Sequence, residues 1–541
     1  MRHADTDYLI IGAGTTGLAF ADTLIAESDA HVTLVDRHGK PGGHWNDAYA
    51  FVTLHQPSSF YGVNSMPLGS GRRDTVGLNQ GLYELASGAE VVGYFDRVMN
   101  QRLLPSGRVS YHPLSNVLED GSFESLLSGR RTQVSVRRKT VDCTYFSPQV
   151  PATHTPRFEV GTGVRLVPPN ALPGLWQSVE RGAPAPRRFV VLGAGKTAMD
   201  TCVWLQQCGA PAEAIQWVLP RDSWLINRVG TQNAPEFFFE AVGGQADQLE
   251  AFAQATSVTD LYLRLEACGA LLRIDPQRMP QMFHFATLAP GELDVLRRIR
   301  DVVRMGHVQA LHAGEMVLQQ GRVPVAPGTL FVDCTASAVR FKPGTPVFDG
   351  RRITPQLLRP PLVTFSAALT AYVEAHYDDP AHQNRLCSPV PFTHTLEGYP
   401  RTMLVAMTNQ FHWSQDKALR DWIHQSRLDG LAPLLRNVGK DGAPPEEVFS
   451  RILSALYDRL TMPIVADTHT RYLANASSGV LQFVMVTHRR DVCGIPVAGC
   501  KGFASFELSG IPTGAPVDKA QLRVWVTQAY KPGVIDVAPV L

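Results

Sequence analysis

The chain of 541 residues lacks several things, and each absence removes a class of function. It has no uninterrupted apolar run of about 18 residues, so no membrane-spanning helix is expected. It has no excess of one charge: 50 Lys and Arg stand against 49 Asp and Glu. A balanced chain projects no field toward nucleic acid or an anionic surface, so neither is an expected partner. It has eight cysteines, but none pair as Cys-x-x-Cys. That removes the zinc ribbon and the thioredoxin-type redox pair, leaving free thiols of a reducing cytosol and no expected metal. An apolar strand already begins near Tyr8, which leaves no room for a secretory signal. A cytoplasmic location is the expectation.

What is present is a glycine-rich pattern used twice, with Gly12 and Gly193 lying 181 residues apart. The first copy is Tyr8-Leu-Ile-Ile-Gly12-Ala-Gly14-Thr-Thr-Gly17, and the second is Phe189-Val-Val-Leu-Gly193-Ala-Gly195-Lys196-Thr197-Ala198. Each comes after a short apolar strand and opens a helix-patterned segment, the context in which this spacing binds a dinucleotide. Gly12 permits the tight turn. Gly14 lets the backbone approach a pyrophosphate at the helix N-terminus, and Gly17 allows close helix–strand packing. Two such sites in one chain point to electron transfer between two dinucleotides.

The copies differ at the end of the next strand. After the first, the strand His31–Val35 ends in Asp36, 19 residues past Gly17. A carboxylate there accepts hydrogen bonds from ribose hydroxyls and repels a 2′-phosphate, so the site suits FAD or NAD rather than NADP. Arg37, next in sequence, is a further contact candidate. After the second, the strand Ala214–Leu219 ends without an acid, and Arg221 stands 23 residues past Ala198. Its planar fork pairs with a 2′-phosphate, which favours NADPH over NADH. Lys196 and Thr197, inside the turn, are expected near the phosphates.

Gly42-Gly43-His44-Trp45 then separates FAD from NAD at the first site. A dinucleotide turn, an acidic strand end and Gly-Gly-x-Trp together resemble the flavin-containing and Baeyer–Villiger monooxygenases. The resemblance covers about residues 5–340 in layout, with its specific motifs in 8–60 and 189–228. It implies an α/β flavoprotein of two Rossmann-like domains, with FAD first and NADPH second, and Gly43, His44 and Trp45 along the FAD. In those families reduced flavin meets molecular oxygen and forms a C4a-hydroperoxide, which oxygenates a small organic substrate. The loop Phe51–Tyr61 is similar in position to one that carries a flavin-facing Asn. Here His55 and Gln56 stand instead, either as candidate catalytic residues or as groups that satisfy loop backbone. Ser58 joins the FAD contacts. Arg228 either assists at NADPH or faces the flavin.

One departure keeps a second reading open. The monooxygenase families place Phe-x-Gly-x-x-x-His before the second turn, and Leu175–Gly182 has no such motif. An FAD-dependent NAD(P)H oxidoreductase that inserts no oxygen is therefore the alternative. A non-catalytic nucleotide-binding flavoprotein is a third reading, which two intact phosphate turns disfavour.

The expected domains are 1–184 for FAD, 185–330 for NADPH with a helical insertion over 235–300, and 331–440 returning to FAD. An α+β extension over 441–541 would serve as a substrate cap or a homodimer contact. Residues 132–160 read as a small β-ribbon. Glu159-Val-Gly-Thr-Gly163 resembles the strand that leaves the FAD domain, and Leu330–Ser337 the return crossing. Thr364–His376 reads as a helix aimed at the flavin pyrimidine edge. Asn409–Trp413 is either pocket lining or core.

Overall fold

A strand buried on both faces needs a continuous apolar run, and the chain supplies one at once. In β1 (Arg2–Ile11), Leu9 and Ile10 have no exposed surface. α1 (Thr15–Glu27) is apolar over most of its surface and buries Leu18 through Ile25. β2 (Val32–Val35) and α2 (Gly88–Arg97) come next, the helix opened by a capping box between Ser87 and Glu90. β3 (Val109–His112) and β4 (Arg131–Asp142) join β1 and β2 in an eight-stranded mixed sheet, in which β4–β1–β2–β3 run parallel in that order. The computed structural model describes residues 2–434 apart from 183, 338–341, 343, 393 and 433, so the tail expected over 441–541 lies outside the described residues.

β4 corrects an expectation. The polar alternation over 132–160 does not make a ribbon. Its first part, up to Asp142, belongs to one 12-residue strand that pairs along its length with β1 and at its start with Phe123–Glu124. The exit strand is corrected with it. Glu159–Val160 pairs with Val308–Leu311 in a separate four-stranded sheet, and the strand that ends beside β1 is β4, at Asp142.

The second half repeats the layout. β5 (Arg165–Val167), β6 (Phe189–Leu192), α3 (Lys196–Gln207) and β7 (Ile215–Val218) lead to β8 (Ser223–Asn227). Helices Gly244–Gln254 and Val258–Ala267 lie within the expected insertion, which also holds a strand, β9 (Met282–Leu288). α4 (Pro290–Leu296), β10 (Val302–Val303) and β11 (Leu330–Asp333) close it. The main sheet is all parallel, in the order β10–β7–β6–β11–β5. β8 and β9 pair with each other outside it.

Beyond β11, β12 (Arg352–Ile353) pairs with β4, and α5 (Val363–His376) packs along α1. α6 (Gly398–Gln415) and α7 (Lys417–Gln425) come after it. The chain thus leaves one hydrophobic core after Val141, builds a second from Leu172 to Cys334, and re-enters the first at Val347. Among the described residues no helix is long and apolar enough to cross a membrane.

Candidate functional site

Both glycine turns sit at the C-terminal ends of central parallel strands, where an open α/β sheet offers its crevice. Gly12 N donates to Val35 O at 2.8 Å, and Gly193 N donates to Val218 O at 3.0 Å. Their φ angles, +100° and +130°, belong to glycine. Over each turn crosses a strand end with the same four residues, Val141-Asp-Cys-Thr144 on β4 and Val332-Asp-Cys-Thr335 on β11. Cys143 N donates to Ile11 O at 3.0 Å, and Cys334 N to Leu192 O at 2.9 Å. In both, the aspartate Oδ1 accepts from the threonine N–H at 2.9 Å and from its hydroxyl at 2.6 Å. Burial pushes both thiols up, so the cysteines pack as neutral groups. Sequence reasoning missed this second repeat, although the identical tetrapeptides were there to find.

The turns fit an anion. Neither α1 nor α3 has a side-chain cap or an acid in its first turn. Their leading N–H groups therefore have no side-chain acceptor, the condition under which a helix start binds phosphate. A Cβ on Gly17 would lie 1.9 Å from Gly12 O, so α1 meets the turn with no room for a side chain. A Cβ on Gly195 would meet nothing within 4 Å, so the space before the second turn is open.

At the first turn, Asp36 is buried at the end of β2 as expected, and it also braces the site. Its Oδ2 accepts from Ala13 N at 2.5 Å, and its Oδ1 contacts His38 N at 2.7 Å and His38 Nδ1 at 2.9 Å. The other nitrogen of His38 lies 2.9 Å from Asp47. A carboxylate offers about four acceptor positions, so contact with a ribose stays compatible. Arg37 points into solvent. Gly42 N donates to Ala13 O at 2.8 Å, and a Cβ on Gly43 would lie 2.9 Å from Gly14 Cα. Backbone-to-backbone contact between loop and turn thus requires Gly43, while Gly42 is required by its φ of +121°. Trp45 Nε1 donates to Tyr61 Oη at 2.8 Å, and Tyr61 Oη lies 2.7 Å from Thr15 Oγ1, which ties the loop to α1. His44 stacks on Trp45, and burial holds its pKa down at about 4.

The His38 hydrogen bond to Asp36 raises the pKa of His38 above its ordinary value. A histidine raised by folding stabilises the fold fully below about pH 6.5, and that contribution is lost as pH rises through the folded value. His38→Gln should therefore flatten the stability curve measured by denaturant unfolding from about pH 6.5 upward. An unaltered slope would contradict the pairing.

Ser58 is corrected. Its hydroxyl is buried, donates to Glu84 O at 2.9 Å and accepts from Ala86 N at 2.7 Å, so loop backbone consumes it. Lys196 and Arg228 are corrected for a related reason: buried charges must be paired, and Asp200 on the same helix and Glu292 far along the chain supply the partners. Lys196 Nζ pairs with Asp200 and lies 3.2 Å from Glu292. Arg228 is 1% exposed, with Nη1 2.6 Å from Glu292. It also donates from Nε to His55 O at 3.1 Å and from Nη1 to Asn79 Oδ1 at 3.2 Å. Burial would raise Glu292, but Lys196 and Arg228 hold it at about 2. Neither cation stands free for a nucleotide. Thr197, half-buried, lies in the first turn of α3. Arg221 is exposed just past β7 with no ion pair among the described residues.

His55 and Gln56 are half-buried, and neither side chain makes a hydrogen bond among the described residues, so they do not serve the loop backbone. Burial, with Lys196 and Arg228 adding to it, drives the His55 pKa to about 3, and the ring is neutral. His376 at the end of α5 lies 2.9 Å from Glu27 at the end of α1, which puts the α5 N-terminus at the glycine-turn end of the pair. Asn409 and Trp413 belong to the core: Asn409 Nδ2 donates to Leu358 O and Ser388 O, and Trp413 Nε1 to Leu386 O.

A family model described as an NAD(P)-binding Rossmann-like domain matches residues 10–56, the stretch with the first turn, Asp36 and Gly-Gly-His-Trp. The chain is 45% identical over 469 residues to the uncharacterized protein Rv2000 of Mycobacterium tuberculosis, covering 86% of each. Among solved structures it is similar to an open form of cyclohexanone monooxygenase, at 14% identity and TM-score 0.42, over 69% of this chain and 88% of that one. It is also similar to a flavin-containing monooxygenase from Stenotrophomonas maltophilia, at 13% identity and TM-score 0.38, over 76% and 99%.

Proposed function

We propose that the chain, which belongs to the same family as the Mycobacterium tuberculosis protein Rv2000, is an FAD- and NADPH-dependent monooxygenase of a small organic substrate, a reading supported by its two glycine turns. Residues 1–184 and 331–440 would hold FAD, and 185–330 would hold NADPH. The observation that carries the reading is the pairing of two matched turns with opposite specificity groups: buried Asp36 at one and exposed Arg221 at the other. The uncapped starts of α1 and α3 take the two pyrophosphates. Asp36 receives ribose hydroxyls, and Arg221 receives the 2′-phosphate.

FAD held there would supply the redox chemistry between NADPH and an acceptor, while the protein sets position and excludes water. Neutral His55 and unpartnered Gln56 offer a donor and an acceptor on the loop that comes after Gly-Gly-His-Trp. The missing Phe-x-Gly-x-x-x-His favours the second reading, hydride transfer without oxygen insertion. Turnover under labelled dioxygen separates the two. Monooxygenation puts one labelled oxygen atom into product per NADPH consumed. Peroxide formation without label in the product, across ketone, amine and sulfide substrates, would overturn oxygen insertion and leave the oxidoreductase.

A further inference from the structure

Between the two turns lies a buried network that no nucleotide contact accounts for. The side chains of Lys196, Asp200, Arg228 and Glu292 are each at most 12% exposed and carry two charges of each sign. Lys196 is the first residue of α3, which opens from the second turn, and Asp200 lies one helical turn further on. The loop after Gly-Gly-His-Trp is tied to this network at two points. Tyr49 Oη donates to Asp200 Oδ2 at 2.7 Å, and Arg228 Nε donates to His55 O at 3.1 Å. Glu292 joins the two anchors by meeting both cations, at 3.2 Å and 2.6 Å. Its own place is set by the start of α4, where its Oε2 accepts from Ala289 N at 2.7 Å.

We propose that Glu292 is a positioning residue that locks the Tyr49–Gln56 loop to the second nucleotide turn, so that the two nucleotide sites face each other at one fixed separation. The proposal rests on reading those turns as the FAD and NADPH sites. A buried ion network contributes little stability beyond what apolar packing would give, but it admits few geometries. Each charge here is satisfied inside the protein, so the network adds no net attraction for phosphate. Hydride transfer depends steeply on the approach of donor and acceptor, and a misplacement of about 1 Å costs roughly a hundredfold. Loss of the network should therefore appear in rate rather than affinity.

The test uses the flavin-loaded protein under anaerobic rapid mixing with NADPH. Two variants are compared with the parent chain: Glu292→Gln, and Lys196→Met combined with Glu292→Gln. The double variant removes one charge of each sign, so the buried network carries no net charge, and Tyr49 still donates to Asp200. Both should bind NADPH within about threefold of the parent, yet reduce each bound flavin at least about tenfold more slowly at saturation. A double variant that reduces flavin within about twofold of the parent, or loses only NADPH affinity, overturns the role of Glu292. A parent chain whose bound flavin NADPH does not reduce overturns the two-site reading instead.

Discussion

Replacing Gly195 with Ala should leave the ligand-free protein as stable as before, within about 0.5 kcal/mol, and weaken NADPH binding by about tenfold or more. Gly195 has φ −88° and ψ 177°, a conformation open to any residue. The added methyl meets nothing within 4 Å, so folding carries no steric cost. The same methyl occupies the space through which backbone would approach a pyrophosphate. Gly17→Ala makes the contrast. There the methyl would sit 1.9 Å from Gly12 O, and α1 would have to move off the turn. That should cost more than about 4 kcal/mol and abolish flavin retention. Thermal unfolding of the two ligand-free variants, followed by nucleotide titration, tests both. Gly195→Ala with undiminished NADPH affinity would mean that no phosphate sits at the second turn.

Arg221→Ala should raise KM for NADPH by about ten- to a hundredfold and leave KM for NADH within about twofold. A charge-assisted contact is worth about 1.5–3 kcal/mol, and about 1.4 kcal/mol is a factor of ten. The effect falls on one side chain because the two other basic candidates are spent: Lys196 on Asp200 and Glu292, and Arg228 on Glu292 and His55 O. Equal changes for both nucleotides would remove Arg221 from the 2′-phosphate.

The parts of this site that a sequence displays are those built by neighbours in the chain. A strand, three glycines, a helix and an acidic strand end all lie between Tyr8 and Asp36, and local sterics decide their shape. Other features depend on partners far along the chain. Glu292 reaches Lys196 across 96 residues, and nothing around either residue announces the other. Arg228 and Lys196 resemble ligand-binding cations in the sequence because their burial is a tertiary property. Ser58 resembles an available hydroxyl because its acceptor, Glu84 O, is a backbone atom that any residue type would supply. Alternation along β4 suggests a ribbon because it reports unequal burial of a strand's two faces and is silent on the strand's neighbour. The Val-Asp-Cys-Thr repeat is legible, but it gains meaning only where β4 and β11 are seen crossing the glycine turns.

The most direct test of the central claim, a path from NADPH to bound FAD, is the visible spectrum of the purified protein titrated with NADPH in the absence of oxygen. The expected result is a bound oxidised-flavin spectrum that one equivalent of NADPH bleaches and that the same concentration of NADH bleaches more slowly. A protein that neither carries nor takes up FAD, or whose bound flavin stays oxidised in excess NADPH, would contradict it.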